Sequence, residues 1–143
     1  MSKRTSILKA LAEKLKVLDG TQYKSNIFGN SYSKLKFWDE CNDFPAIYMS
    51  PGTELREYLP GNFTWAHLAV SVKLYCKSED AQDQLEQLID DVEKVIDANR
   101  VMVFNDSNQE TTEILVTSIT TDEGLLAPYA VGEINLQIRY QLM

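Results

Sequence analysis

Phe63-Thr64-Trp65-Ala66-His67-Leu68-Ala69-Val70-Ser71-Val72-Lys73-Leu74-Tyr75-Cys76 reads with a period of two. Leu68, Val70, Val72, Leu74 and Cys76 fall on one side of an extended chain, and His67, Ser71, Lys73 and Tyr75 on the other, the mark of a strand with one buried face. Immediately after it, Ser78-Glu79-Asp80 offers an N-cap and an acidic first turn. Leu85, Leu88, Ile89, Val92, Val95 and Ile96 then stripe one side of a helix. A half-buried strand running into an amphipathic helix predicts a helix laid over a sheet.

The flanking sequence extends this layer. Ile7, Leu8, Leu11, Leu15 and Leu18 recur at steps of three and four and predict a first helix from about Ser2 to Leu18, stopped by Asp19-Gly20. Residues 20–34, rich in Gly, Ser and Asn, read as an irregular connection or a weak strand. Phe44 to Met49 is a short apolar strand that Ser50-Pro51-Gly52 is expected to close, with Pro45 at its start or on an edge because it lacks an N–H. Glu54 to Leu59 is one arm of a hairpin tipped by Pro60-Gly61-Asn62. Val101 to Phe104 is a short strand candidate and Thr111 to Thr121 a β-branched strand. At the end, Ile134, Leu136, Ile138, Tyr140 and Leu142 alternate with Glu133, Asn135, Gln137, Arg139 and Gln141. The expected architecture is α+β: a mixed, mainly antiparallel sheet packed with two helices, plus a projecting β-hairpin, in one domain spanning residues 1–143.

With 21 acidic and 14 basic residues the net charge is −7, which opposes wrapping on a phosphate backbone, where affinity comes from Lys and Arg displacing counterions. The charges are segregated. Lys3, Arg4, Lys9, Lys14 and Lys16 crowd the first helix, and Glu79, Asp80, Asp83, Glu86, Asp90, Asp91, Glu93 and Asp97 the later one. This is either an electrostatic guide for subunits or two solvated helix faces. Cys41 and Cys76 allow at most one bridge and are expected reduced, and the charged N-terminus forms no signal-peptide core, so a cytoplasm-like setting is expected. The sequon Asn62-Phe63-Thr64 is then without consequence. No run approaches the roughly 20 apolar residues that span a bilayer, so no membrane partner is expected.

Chemistry finds little support. His67 is the single histidine, which removes multi-histidine zinc sites. Nine strand residues, about 30 Å, separate it from Cys76, leaving only Cys41 as a partner for a Cys-His pair. Asp90-Asp91 and Asp122-Glu123 are the conspicuous carboxylate pairs, but nothing beside them builds the apolar pocket that acid/base work, such as that of a small hydrolase, requires. There is no GxGxxG, Walker A or EF-hand spacing. No catalytic residue, metal or cofactor is therefore expected. What stands out are loops with large apolar residues, Tyr58, Leu59, Pro60, Phe63 and Trp65 in one place and Leu125, Leu126, Pro128 and Tyr129 in another, which either dock on partners or fold back over the core.

Several segments taken together carry a family likeness. They are the first helix, Phe44-Pro45-Ala46-Ile47 with Pro51-Gly52 and Glu54, the strand ending Val72 to Asp80, and the Leu85 to Ile96 helix. With Ser118 to Gly124, Pro128 and the strand Gly132 to Tyr140, they resemble the tail terminator (tail completion) family of tailed bacteriophages. The resemblance covers most of the chain through diffuse positions. It implies a structural protein of the virion tail, assembled in the host cytoplasm. Such a protein forms a homo-hexameric ring on the tail tube protein, ends tube growth and offers a surface to the head-tail connector protein. Phage DNA passes through without specific binding. A head-completion or connector joining protein shares the same outline. Within this reading Glu54, Arg56, Tyr58, Leu59, Phe63, Trp65, Asp122, Glu123, Leu125, Leu126 and Tyr129 are the expected subunit-interface residues, a head-to-tail ring needing two unlike complementary patches.

Overall fold

The computed structural model describes residues 2–142. Helix α1 (Lys3–Leu15) is capped by the Ser2 hydroxyl, which accepts from the Thr5 N–H. The chain then passes through β1 (Ser31–Tyr32), a single 3-10 turn (Trp38–Glu40), β2 (Ala46–Leu59), β3 (Phe63–Lys77), α2 (Ala81–Ala98), β4 (Glu113–Thr121) and β5 (Tyr129–Gln141). The five strands form one sheet in the order β1-β2-β3-β5-β4, antiparallel except for the short parallel β1–β2 pair. This is the α+β architecture expected from the sequence.

Both helices lie on the same face of the sheet, α1 over β1 and β2, α2 over β3, β5 and β4. The core between them holds the α1 stripe, the α2 stripe and the inward residues of β3 and β5, including Leu68, Val70, Val72, Leu74, Ile134, Leu136 and Ile138, all essentially inaccessible. Gly132 is there because α2 comes close: a Cβ would sit 3.1 Å from the Leu85 Cδ1. Asp91, a carboxylate in the middle of α2, is also buried. It accepts from the Ser25 N–H at 3.0 Å and from the Gln87 amide at 3.1 Å, and so ties the 20–30 connection to the helix. No helix among the described residues is long and apolar enough to cross a membrane.

Four expectations change. The first helix stops at Leu15, three residues early, and Leu18 reaches the core from a turn instead. Ser50-Pro51-Gly52 does not close a strand. β2 runs straight through it, with Pro51 opposite Val70 and Glu54 opposite Leu68, so that three steps on β2 face two on β3. A bulge absorbs the extra residue, and an edge position tolerates the proline. Val101 to Phe104 is no strand, since only an isolated Val103–Glu110 bridge forms where the Asn105 to Gln109 loop turns the chain back too soon. Ser78-Glu79-Asp80 does start α2, but Asp80 at the N-cap makes no side-chain cap bond because its carboxylate accepts from the Ser78 hydroxyl at 2.9 Å.

The other face of the sheet is only partly open. The 33–45 segment crosses one end of it and builds a second small cluster from Cys41, Ala46, Tyr48 and Tyr75, with Tyr32, Trp38, Phe44 and Val131 packed against it. Tyr75 is buried there, and its hydroxyl donates to the Lys36 carbonyl at 2.6 Å. The strand alternation places Tyr75 on the polar side; the covering segment is what buries it.

Candidate assembly interface

The hairpin β2–β3 projects past β1, turning through a three-residue loop in which Gly61 and Asn62 both have positive φ (83° and 62°). Register divides its residues between two faces. Glu54, Arg56 and Tyr58 lie opposite Leu68, Ala66 and Thr64 on the helix-bearing face, whereas Leu55, Glu57 and Leu59 lie opposite His67, Trp65 and Phe63 on the other. The expected interface set is therefore not one patch.

On the helix-bearing side Glu54 points inward. Its side chain is 4% exposed, its carboxylate pairs with the Arg56 guanidinium at 2.6 Å, and it accepts a short hydrogen bond from the buried Tyr140 hydroxyl. Burial, and then that carboxylate, pushes the Tyr140 phenol well above its ordinary range. Glu54 is thus a structural anchor, while Arg56 and Tyr58 face solvent, Tyr58 at 74% exposure. On the opposite side Phe63 meets Trp65 edge-on at 4.8 Å, and the Arg139 guanidinium lies over the indole at 3.9 Å. Leu55 and Leu59 are exposed beside them. Sequence reading missed Leu55 and Arg139; the first shares the Leu59 period of two, whereas the second is visible only through the β3–β5 register.

The 122–129 loop sits at the far end of the same long strands. β3 pairs Trp65 with Gln141 at one end and Lys77 with Tyr129 at the other, twelve residues or about 40 Å apart. Here too the expected residues separate by role. Asp122 accepts from the Leu126 N–H (3.1 Å), the Val131 N–H (3.2 Å) and the Gln82 amide (3.1 Å), and so fixes the loop to α2 and β5. Burial works to raise its pKa, but these three donors outweigh it and hold the carboxyl below its ordinary 3.8. Tyr129 is half-buried between Trp38 (4.9 Å) and Phe44 (5.7 Å), with the Lys77 ammonium over its ring. Leu126 is partly covered. Leu125, 84% exposed, and Glu123, with a positive φ of 56°, form the tip.

A folded-state carboxylate with a depressed pKa stabilises above its unfolded pKa and loses that contribution as pH falls through the folded value. Asp122 therefore holds the loop at neutral pH and releases it only below about pH 4. The Leu126 and Val131 amide resonances should shift through an acid transition in the parent chain. In Asp122→Asn they should show no such transition, and the loop should be weaker by about 1–2 kcal/mol at pH 7.

Among the described residues the candidates named from sequence do not come together. His67 Nε2 lies 3.4 Å from the Glu57 carboxylate on the exposed side of the hairpin. Cys41, the remaining candidate partner for it, sits instead with Tyr48 and Tyr75, its Sγ donating to the Phe37 carbonyl. Burial pushes the Cys76 thiol up to about 12. Among the described residues no group of three or more His, Cys, Asp or Glu is placed to hold a metal.

The exposed apolar residues of the hairpin and of the 122–129 loop thus lie at the two ends of a long sheet. Comparison with known proteins specifies the class. The family profile "Bacteriophage Tail Tube Terminator Protein" matches residues 1–143, and the chain belongs to that family of structural, non-enzymatic virion proteins. It is 37% identical over 153 aligned residues to the tail tube terminator protein p142 of Escherichia phage T5, covering 99% of this chain and 95% of that one. A solved chain from the virion of a native gene transfer agent particle shares the fold, with a TM-score of 0.61, 10% identity and 94% coverage of both chains.

Proposed function

We propose that six copies of this chain close into a ring on the last ring of the tail tube, stop its growth, and present the opposite side of the ring to the head-tail connector. The observation that carries this reading is the separation of two unlike apolar ends, Tyr58 with Leu59 and Leu125, by about 40 Å of rigid antiparallel sheet. A cap must hold the tube on one side and a different protein on the other, and one subunit of this shape offers both. The net charge of −7 supports the same reading, since a ring of acidic subunits repels DNA phosphate and lets the genome slide.

Electron microscopy of a phage deleted for this chain tests it. Overlong or unfinished tails are expected. Full heads beside detached tails of normal length would instead assign the chain to head joining.

A further inference from the structure

The sheet is open along both edges. β4 is the last strand on one side, nine residues with one charge and no proline. Leu115, opposite Gln137 on the face away from the helices, and Ile119, opposite Ile134 on the helix-bearing face, are 36% and 38% exposed. Natural edge strands are ordinarily blunted by lysine, proline or a covering element, because unpaired N–H and C=O groups recruit another strand. β4 itself carries only a bulge between Val116 and Ser118. On the other side β1 pairs with β2 only at Ile47 and Tyr48, and the Met49 N–H reaches the Lys34 carbonyl, so among the described residues no strand flanks β2 from Pro51 to Leu59. This span, also nine residues long, has no strand paired on that edge, but its Gly52 carbonyl accepts from the Arg4 guanidinium at 2.6 Å, a contact that an incoming strand must displace.

Direction makes the two edges complementary. β2 and β3, β3 and β5, and β5 and β4 are each antiparallel, so β4 runs opposite to β2 within one molecule. Copies related by rotation about a ring axis keep the same orientation, and β4 of one then meets β2 of the next as an antiparallel neighbour. Charge agrees. Glu86 and Glu93 occupy the flank of α2 that also carries Gln82, whose amide bonds Asp122 just beyond β4, and Glu113 opens β4 itself. The β2 side carries Arg4, Lys34 and Arg56 against the single exposed acid of the strand, Glu57.

Resting on the ring reading above, we propose that β4 of each copy adds to the free half of β2 of its neighbour, making one sheet continuous around the ring. Filling both spans while keeping helix-bearing and opposite faces continuous sets Glu113 against Leu59 and Leu115 against Glu57. The basic flank of one copy then faces the acidic flank of the next.

Cysteines test the register. Residues directly opposite in an antiparallel pair stand about 4.5–5.5 Å apart at Cα, within disulfide reach, and the native Cys41 and Cys76 are buried. Purified particles carrying Glu57→Cys with Leu115→Cys, oxidised and run without reductant, should show a ladder of chain multimers at least about tenfold stronger than either single variant. Copy number per particle is counted on the same sample by quantitative mass spectrometry. Several copies with no ladder, or a crosslink to a different virion protein, overturn the edge pairing and leave the ring reading standing. A single copy per particle overturns both. As a second variant, Leu115→Lys places an edge-blocking charge on an exposed position. It should keep the thermal midpoint of the monomer and lower the titre at least about tenfold; an unchanged titre overturns the pairing.

Discussion

Glu54→Lys is expected to destabilise the isolated chain by about 2–3 kcal/mol, the upper part of the range for leaving a buried hydroxyl without its acceptor. The carboxylate is almost inaccessible, it is the acceptor for the Tyr140 hydroxyl, and Arg56 is its counter-ion. A lysine there sets two cations together and leaves a buried phenol without its acceptor. Urea unfolding of the purified chain measures the loss, and Glu54→Gln, which keeps an acceptor, should lose only about 1–2 kcal/mol. A Glu54→Lys chain as stable as the parent would refute the burial argument. The consequence reaches function: a Glu54→Lys phage that fails to finish its tails reports a damaged fold, and Arg56→Glu, which sets two carboxylates together at the same pair, reports the fold as well, whereas a change at Tyr58, 74% exposed, addresses the surface.

Glu54 also shows where sequence stops being informative. Its neighbours Leu55 to Leu59 alternate poorly, and Pro51-Gly52 imitates a turn, so nothing local says that β2 continues or which side Glu54 faces. That depends on the bulge and on the pairing with Leu68, a long-range fact. The elements whose period is clean, β3, β5 and α2, were legible because each has one face in the core and one outside it, and burial writes that difference into the residue types. Tyr75 breaks the pattern because the segment around Trp38 covers the outer face. The candidate interface residues stand out in the sequence as large apolar groups beside turns, but their division between two faces and two roles does not. Asp122 and Tyr129 read the same as Glu123 and Leu125 in sequence, yet the first two are committed to contacts within the chain.

That division leaves Tyr58 and Leu125 as the two exposed tips, and they support a sharper experiment. Neither contributes much to the core, so Tyr58→Asp and Leu125→Asp should each leave monomer stability within about 0.5 kcal/mol of the parent. At an interface, by contrast, losing a central apolar anchor costs about 2 kcal/mol or more, roughly thirtyfold per contact, and a carboxylate forced into the same place costs further desolvation. In the proposed ring the defect would recur at every copy. Because the tips lie at opposite ends of the sheet, the two variants should fail differently. The one facing the tube should give overlong tails, and the one facing the head should give tails of normal length that remain detached. Tail-length distributions and the fraction of joined heads, scored by electron microscopy, separate these outcomes. Overlong tails from both variants would place both tips against the tube or within the ring. Normal infectious particles from both would remove the ends of the sheet from assembly altogether and leave its edges as the surfaces that matter.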